Sequence, residues 1–279
     1  QVYAYTAGAH QHYGLYADAD KWARRTIEFG TKHKVPFAQA IGYEFLGEDA
    51  VHSGNFEAGL EYAAHESEIA EKLHSRERRA WTHLYAGLCS VSLGQLQRAE
   101  QEFADGLAIA EAVGENRVKS LIKPNFAVLQ ALLGRLDEAL KMASENLAAV
   151  SATLIYSRFE ALRCLAEVRL RRGLAIASDE INQHAVQLLT KAESIRGEEM
   201  VDTELDEAER LCDEAHNLVS PTESRVSQLW LGPLHIQVLI AQGKRSEAIT
   251  LLGPYQKLVA NCQAPRFTAE AARLSYILN

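Results

Sequence analysis

Apolar and polar residues alternate along this chain with the spacing of α-helices. Over 81–93, large apolar residues recur every three to four positions with further large residues beside them, so a helix there is covered on more than one side. Over 136–150, alanine and leucine recur at the same spacing, and charged residues take the remaining positions. The pattern predicts two kinds of helix, an inner one and a more amphipathic one that forms an outer, wetter layer.

A corner motif recurs at a fixed interval of 40 residues. It consists of a glycine, a large apolar residue two positions later and a small residue three positions after that. The corner glycines are Gly14, Gly54, Gly94 and Gly134. Another small residue stands seven positions before each of them, at Ala7, Gly47, Gly87 and Ala127. Glycine adopts the left-handed backbone that ends many helices, and small residues let two helices approach closely. Each copy therefore predicts an antiparallel helical hairpin.

The register of the repeat breaks after the fourth copy. Gly173 stands one position before the fifth glycine expected and predicts the end of a helix over 155–172. The second half of the corner returns at Ala208, and the next copy places Ala248 40 residues later. The break predicts an insertion over 175–203 that holds one extra amphipathic helix, which we expect to cover a groove or contact a partner.

Two copies carry the repeat pattern most fully. Their matching residues are Gly87, Gly94, Leu96, Ala99 and Phe103 in the third copy and Ala127, Gly134, Leu136, Ala139 and Ala143 in the fourth. This pattern resembles the tetratricopeptide repeat, although the period is 40 rather than 34 residues, the closing proline is absent and the linkers are longer. The lengthened form is similar to the sensor regions of bacterial signal-transducing ATPases of the maltose-regulator type and to helical regions that follow some adenylate cyclases.

The resemblance implies an all-α fold, a right-handed α-solenoid of about six antiparallel hairpins over 1–279. The 175–203 insertion would interrupt the fifth repeat, and a single helix over 264–279 would cap the end of the stack. It further implies a non-catalytic scaffold or sensor module that binds a protein or peptide in an extended concave groove, as part of a larger bacterial signalling or transcription regulator. The alternative is a stand-alone sensor that binds a small-molecule or peptide effector in the same groove.

The resemblance also implies which residues face the groove. In each first helix they lie six, ten and thirteen positions before the corner glycine. The groove residues we single out are Glu44, Glu48, Trp81, Leu84, Glu160, Arg163, Glu167, Trp230 and Gln237. Trp81 and Leu84 have an alternative place in the core of a tightly wound repeat. The charged residues require water or a partner, because a charge is costly to bury unpaired.

Charge and composition narrow the class of partner. The chain has 29 lysines and arginines against 37 aspartates and glutamates, a net charge of −8. This balance argues against binding to nucleic acid or to an anionic membrane, since both rely on clustered basic residues. No apolar run is long enough to span a membrane and no secretory signal is present, which favours a cytoplasmic location. The first residue, Gln1, is not a methionine, which favours a piece of a larger protein.

Candidate catalytic and metal-binding chemistry is sparse. His10 and His12 lie two positions apart, so a helix directs them to different sides, and no zinc-type motif supports them. The four cysteines are far apart and predict reduced, buried thiols. Glu44 and Glu48 share one helix face and suit a carboxylate pair, but two solvated acids on a groove wall are the favoured interpretation. Phosphate-loop, dinucleotide and serine-hydrolase motifs are absent, so we expect no enzyme, cofactor or metal.

Overall fold

The computed structural model describes residues 2–186, 194–262 and 264–279. These residues form 13 α-helices, one short 3-10 turn and no β-strand. The helices are α1 (Val2–His12), α2 (Tyr16–Lys32), α3 (Pro36–Ser53), α4 (Phe56–Lys72), α5 (Arg76–Ser92), α6 (Leu96–Val113), α7 (Asn116–Leu132), α8 (Leu136–Ala149), α9 (Ile155–Val186), α10 (Ser194–Val219), α11 (Arg225–Ala241), α12 (Arg245–Ala260) and α13 (Pro265–Leu278). Consecutive helices pack in pairs, which gives six hairpins and an unpaired C-terminal helix. The predicted all-α solenoid is confirmed.

The corner motif forms the turn of each hairpin in which it occurs. Its four glycines have φ angles from +70° to +88°, in the left-handed region, and each lies between the two helices of a pair. The small residue five positions later is buried against the partner helix, as Ala99 and Ala139 show with no exposed surface. The turn and the close helix contact are therefore encoded by the same short segment.

The two predicted kinds of helix are both present. Helix α5 buries residues around most of its circumference, whereas α6 buries only Ala99, Phe103, Gly106 and Ala110, which share one face. Odd-numbered helices up to α11 contact one another in sequence, and among the described residues the even-numbered helices have no such contacts with each other. The odd-numbered helices therefore form the inner layer and their partners the outer one.

The fifth hairpin differs from the sequence prediction. Helix α9 does not end near Gly173 but continues to Val186, and α10 begins at Ser194. A Cβ on Gly173 would lie 3.0 Å from Leu205, so this glycine permits close packing of α9 against α10 and is not a helix end. Of the predicted insertion helix, residues 187–193 lie outside the described residues, and the flanking parts extend the two helices of the hairpin.

The inner layer closes on itself. Helix α1 contacts α11, and α13 contacts α3, so the first hairpin meets the last. The Nε1–H of Trp230 donates a hydrogen bond to Nδ1 of His52 at 2.9 Å, and Arg266 donates to the Val51 carbonyl oxygen at 2.9 Å. The inner helices thus form a ring in place of the extended open groove that the repeat pattern suggested. Gly59 lets α4 pack closely on α5 of the next hairpin, since a Cβ there would lie 2.5 Å from Sγ of Cys89.

The C-terminal helix covers the end of the sixth hairpin. Helix α13 buries Phe267, Ala271, Leu274 and Leu278 in a cluster that it shares with α11 and α12. The same cluster includes Tyr16 of α2, so this helix lies at the junction between the two ends of the chain. Within the described part of the chain, no helix has both the length and the hydropathy needed to cross a membrane.

Candidate functional site

The ring of inner helices encloses a cavity of about 730 Å³, which we call the chamber. Its walls come from α1, α3, α5, α7, α9 and α11, with a contribution from α2. A second cavity of about 320 Å³, the side pocket, lies between α9, α11 and α13. Arg163 and Trp230 line both cavities and form the partition between them.

The sequence-predicted groove residues lie on these two cavities. The chamber is lined by Glu44, Glu48, Trp81, Leu84, Glu160, Arg163 and Trp230. The side pocket is lined by Glu167 and Gln237 together with the two shared residues. Trp81 and Leu84 are 5% and 3% exposed and also belong to the hydrophobic core around α5. These two side chains therefore belong to the core and also reach the chamber wall, and their role in binding stays a prediction.

Several chamber residues were missed by the sequence rule. Arg78, Tyr85, His52 and Tyr156 line the chamber but occupy none of the three positions chosen in each repeat. Each lies one helical turn from a residue that was chosen, as Arg78 and Tyr85 do on either side of Trp81. Residues three or four apart share a helix face, so extending each chosen face by one turn would have found all four.

Arg78 is shared by two buried glutamates. Its guanidinium lies 2.5 Å from a carboxylate oxygen of Glu44 and 3.8 Å from one of Glu66. Burial raises the pKa of Glu66 well above its ordinary value, and repulsion from Glu44 adds to this effect while Arg78 opposes it. Burial also raises the pKa of Glu44, again against the attraction of Arg78. The positive charge of this arginine is therefore compensated within the protein.

Arg163 is likewise neutralised within the protein. It donates hydrogen bonds to Glu160 at 2.9 Å, to Glu167 at 3.3 Å and to the side-chain oxygen of Asn125 at 3.3 Å. Burial alone would raise the pKa of Glu167, but the adjacent Arg171 and Arg163 outweigh it and hold that pKa below its ordinary value. The result is a compensated charge cluster on the chamber wall.

Glu48 differs from these acids because no arginine or lysine of the described chain pairs with it. The basic side chain in contact with it is that of His52, whose Nε2 lies 3.7 Å from Oε1, beyond hydrogen-bond distance. Burial raises the pKa of Tyr85 well above its ordinary value, and the charge of Glu48 raises it further. The same charge adds to the burial that raises the pKa of Asp49 to about 8. Glu48 thus places an uncompensated negative charge at the chamber wall.

Trp230 lies at the junction where the ring closes. The guanidinium carbon of Arg266 is 4.3 Å from its ring centroid and that of Arg163 is 5.1 Å away, so two cations contact the indole. Burial lowers the pKa of Arg266 to about 10, and repulsion from Arg163 adds to this shift. The indole N–H faces His52, whose ring stacks on Tyr16 with centroids 5.3 Å apart.

Exposed aromatic side chains mark the opening of the chamber. Tyr5 on α1, Phe29 on α2 and Phe37 on α3 line the cavity and are 76%, 44% and 54% exposed to solvent. A residue that is both exposed and part of the wall lies at the rim. The chamber therefore opens beside the N-terminal hairpin and the start of α3.

The described residues give little indication of a metal site or of a reactive thiol. These contain no group of three or more histidine, cysteine or acidic side chains placed to hold a metal ion. His10 and His12 bond to separate backbone oxygens, those of Thr6 and Thr222. The cysteines are unpaired, and all but Cys262 are fully buried.

The comparisons with known proteins add no assignment. A scan against models of protein families gives no match, and a search of curated proteins gives none either. The chamber itself is therefore the basis for assigning a function to this all-α solenoid.

Proposed function

We propose that this chain is a non-catalytic sensor module that binds a compact ligand, a small molecule or the end of a short peptide, in the chamber. The observation that carries the proposal is the cavity of about 730 Å³, open on one side, within the helical ring. Sites for small molecules have volumes of roughly 300–1,000 Å³ and combine apolar walls with a few polar groups. The chamber has this size and this mixture of side chains.

Closure of the ring favours a compact ligand over a long one. A bound helix is about 10 Å wide and an extended peptide needs a continuous groove. The contacts of α1 with α11 and of α13 with α3 interrupt such a path. A ligand in the chamber touches both ends of the chain, so its binding energy favours the closed ring over more open arrangements.

The repeat pattern supports a wider setting for this module. The 40-residue hairpins with glycine corners support an assignment to the tetratricopeptide-like sensors of bacterial signalling or transcription regulators, in which ligand-dependent closure is passed to an attached domain. Four unpaired cysteines support a reducing, cytoplasmic setting.

A second candidate function is the binding of a protein partner at the rim. The exposed side chains of Tyr5, Phe29 and Phe37 favour it, because aromatic residues are enriched where proteins bind one another. The two candidates differ in what the purified protein retains, a small molecule or a polypeptide.

Two variants, in each of which tryptophan replaces an alanine, test the proposal. Ala38→Trp adds an indole on the chamber wall, whereas Ala64→Trp adds one on an exposed position of α4. A ligand at one hundred times its Kd stabilises a protein by about 2.7 kcal/mol, which raises Tm by roughly 5 °C or more in a chain of this size. In a thermal-shift screen of small molecules we expect ligands that stabilise the wild type and Ala64→Trp but not Ala38→Trp. Equal stabilisation of both variants would remove the chamber as the site.

A further inference from the structure

The chamber carries an excess of acidic residues over basic ones. Its acidic residues are Glu44, Glu48, Glu77, Glu115 and Glu160, and its basic ones are Arg78, Arg117 and Arg163. Arg78 and Arg163 are held by glutamates of the protein, as described above. Glu77 and Arg117 are exposed at the rim and Glu115 lies beside Arg117, so the inner wall has three carboxylates against two guanidiniums and one negative charge in excess. This balance disfavours an anionic ligand and favours a cationic one.

Arg117 is the remaining basic residue and it belongs to the rim. Its side chain is exposed, and its guanidinium carbon lies 5.1 Å from the ring centroid of Trp81. The neighbouring Glu115 carboxylate accepts a hydrogen bond from the Arg117 backbone N–H. The charge of Arg117 is therefore screened by water and by an adjacent acid, and it does not neutralise Glu48.

Aromatic rings line the same chamber wall as the uncompensated carboxylate of Glu48. Trp81 and Tyr85 form a stacked pair with centroids 6.2 Å apart on the chamber wall. Tyr156 is 42% exposed and presents its ring to the same cavity. A protonated amine is attracted both to a carboxylate and to the faces of such rings, and this combination is the common solution for binding ammonium groups.

The ring of His52 gives a second indication of a missing partner, because the Glu48 carboxylate, 3.7 Å from its Nε2, is too far away to accept a hydrogen bond. The side chain is 4% exposed and lines the chamber, yet its Nε2 has no hydrogen-bond partner within the described structure. Because Nδ1 accepts the Trp230 N–H, the proton of the neutral ring lies on Nε2. Buried donors are almost always satisfied, so this N–H requires an acceptor from a ligand or water.

We propose that the chamber binds a compact organic amine. The ammonium group lies beside Glu48, and the apolar body of the ligand packs against Trp81, Tyr85 and Tyr156. The Nε2–H of His52 is then available to a water beside the bound amine or to an acceptor atom that the amine carries. This inference rests on the proposed function, since it names the ligand class of the same cavity.

Matched probes of different charge test this inference by isothermal titration calorimetry on the full chain. The probes are phenethylamine, tryptamine and hexylamine, each with a carboxylate of similar length (3-phenylpropionate, indole-3-propionate, heptanoate) and an alcohol (2-phenylethanol, tryptophol, hexanol). We expect at least one amine to bind with one site per chain, tenfold or more tightly than its carboxylate and alcohol. Glu48→Gln should weaken that binding at least tenfold, whereas Glu145→Gln, at an exposed position of α8, should leave it unchanged.

The outcomes separate this inference from the proposed function. If a carboxylate or alcohol binds as tightly as its amine, or if Glu48→Gln does not weaken amine binding, the amine assignment is wrong. If no amine binds up to 10 mM, the assignment is wrong as well. In each of these cases the proposed function still stands if another ligand stabilises the wild type but not Ala38→Trp in the thermal-shift screen. The proposed function is wrong if no ligand loses its stabilising effect in Ala38→Trp.

Discussion

At the scale of single residues, the same repeat position carries different packing in different hairpins. Gly47 and Gly87 both stand seven residues before a corner glycine. A Cβ on Gly87 would lie 2.4 Å from the ring of Phe103, whereas one on Gly47 would lie 3.7 Å from Tyr85. The repeat therefore shows where small residues belong, and the neighbouring side chain decides how strictly each is required.

Alanine substitutions at these two glycines should have opposite effects. Gly87→Ala forces the buried Phe103 ring to move and should reduce the free energy of unfolding by about 1–3 kcal/mol. Gly47→Ala makes an ordinary contact and lowers the entropy of the unfolded chain, so it should raise that free energy by about 0.5–1 kcal/mol. Urea denaturation of both variants checks the prediction, and a loss of similar size at the two sites would contradict it.

Asp49 makes stability depend on pH. Burial, with the nearby charge of Glu48, raises its pKa to about 8 in the folded protein despite a hydrogen bond from Gln11. In the unfolded chain the pKa of the Asp49 carboxyl is about 3.9, so the unfolded state loses this proton first as pH rises. The free energy of unfolding therefore falls progressively between about pH 4 and pH 8.

Asp49→Asn should therefore stabilise the protein more at pH 8 than at pH 5. The amide cannot ionise and it retains an oxygen that accepts from Gln11. Because each pH unit between the unfolded and folded pKa values costs about 1.4 kcal/mol, we expect the gain to be larger at pH 8 than at pH 5 by roughly 3–4 kcal/mol. Denaturant titrations at the two pH values measure this difference, and equal changes at both would show that Asp49 is not the responsible group.

At the scale of helices, most of the fold follows from local signals. A corner glycine, a following large residue and two small residues are close in sequence, so each hairpin is predictable without knowledge of its neighbours. Gly173 misled the sequence prediction because a glycine marks close approach as often as a helix end, and only its contact with Leu205 on α10 distinguishes them. The length of the fifth hairpin therefore required the structure.

Removing 176–202 should leave the rest of the solenoid folded. Arg169 and Arg172 of α9 both pair with Glu204 of α10 at 2.7 Å, so the hairpin stays joined beneath the deleted part. With a short glycine-serine linker we expect cooperative thermal unfolding. Because the chamber residues lie outside the deletion, ligand binding tests the role expected from the sequence, and unchanged binding would remove the expectation that this segment covers a groove. Loss of cooperative unfolding in differential scanning calorimetry would show that the extension is structural. Loss of ligand binding alone would show that it covers the chamber.

At the scale of the whole molecule, closure of the ring was beyond sequence reasoning. It depends on the sum of small rotations over six hairpins and on pairs far apart in the chain. His52 and Trp230 are separated by 178 residues, and Val51 and Arg266 by 215. The free charge of Glu48 was equally hidden, because it becomes apparent only once Arg78 is seen to pair with other acids. Some of the wall residues were predictable from their positions in the repeat, but the chamber was not.

Trp230→Phe should loosen the closure without unfolding the hairpins. It removes the donor to His52 and leaves a buried ring nitrogen unpaired, which costs roughly 1–3 kcal/mol. We expect faster amide hydrogen exchange in α13 and at the end of α3, with little change in α6. Trp81→Phe, in the core around α5, is the matched control and should not accelerate amide hydrogen exchange in α13. Unchanged exchange in α13 of Trp230→Phe would contradict the role of this contact in closure.

The central claim is that the closed ring holds one compact ligand in its chamber. Native mass spectrometry of freshly purified protein, before and after addition of the best ligand from the thermal-shift screen, tests it most directly. We predict one small molecule per chain on the wild type and on Ala64→Trp and none on Ala38→Trp, with no polypeptide required for its retention. Equal occupancy of Ala38→Trp, or retention of a polypeptide without any small molecule, would contradict the account.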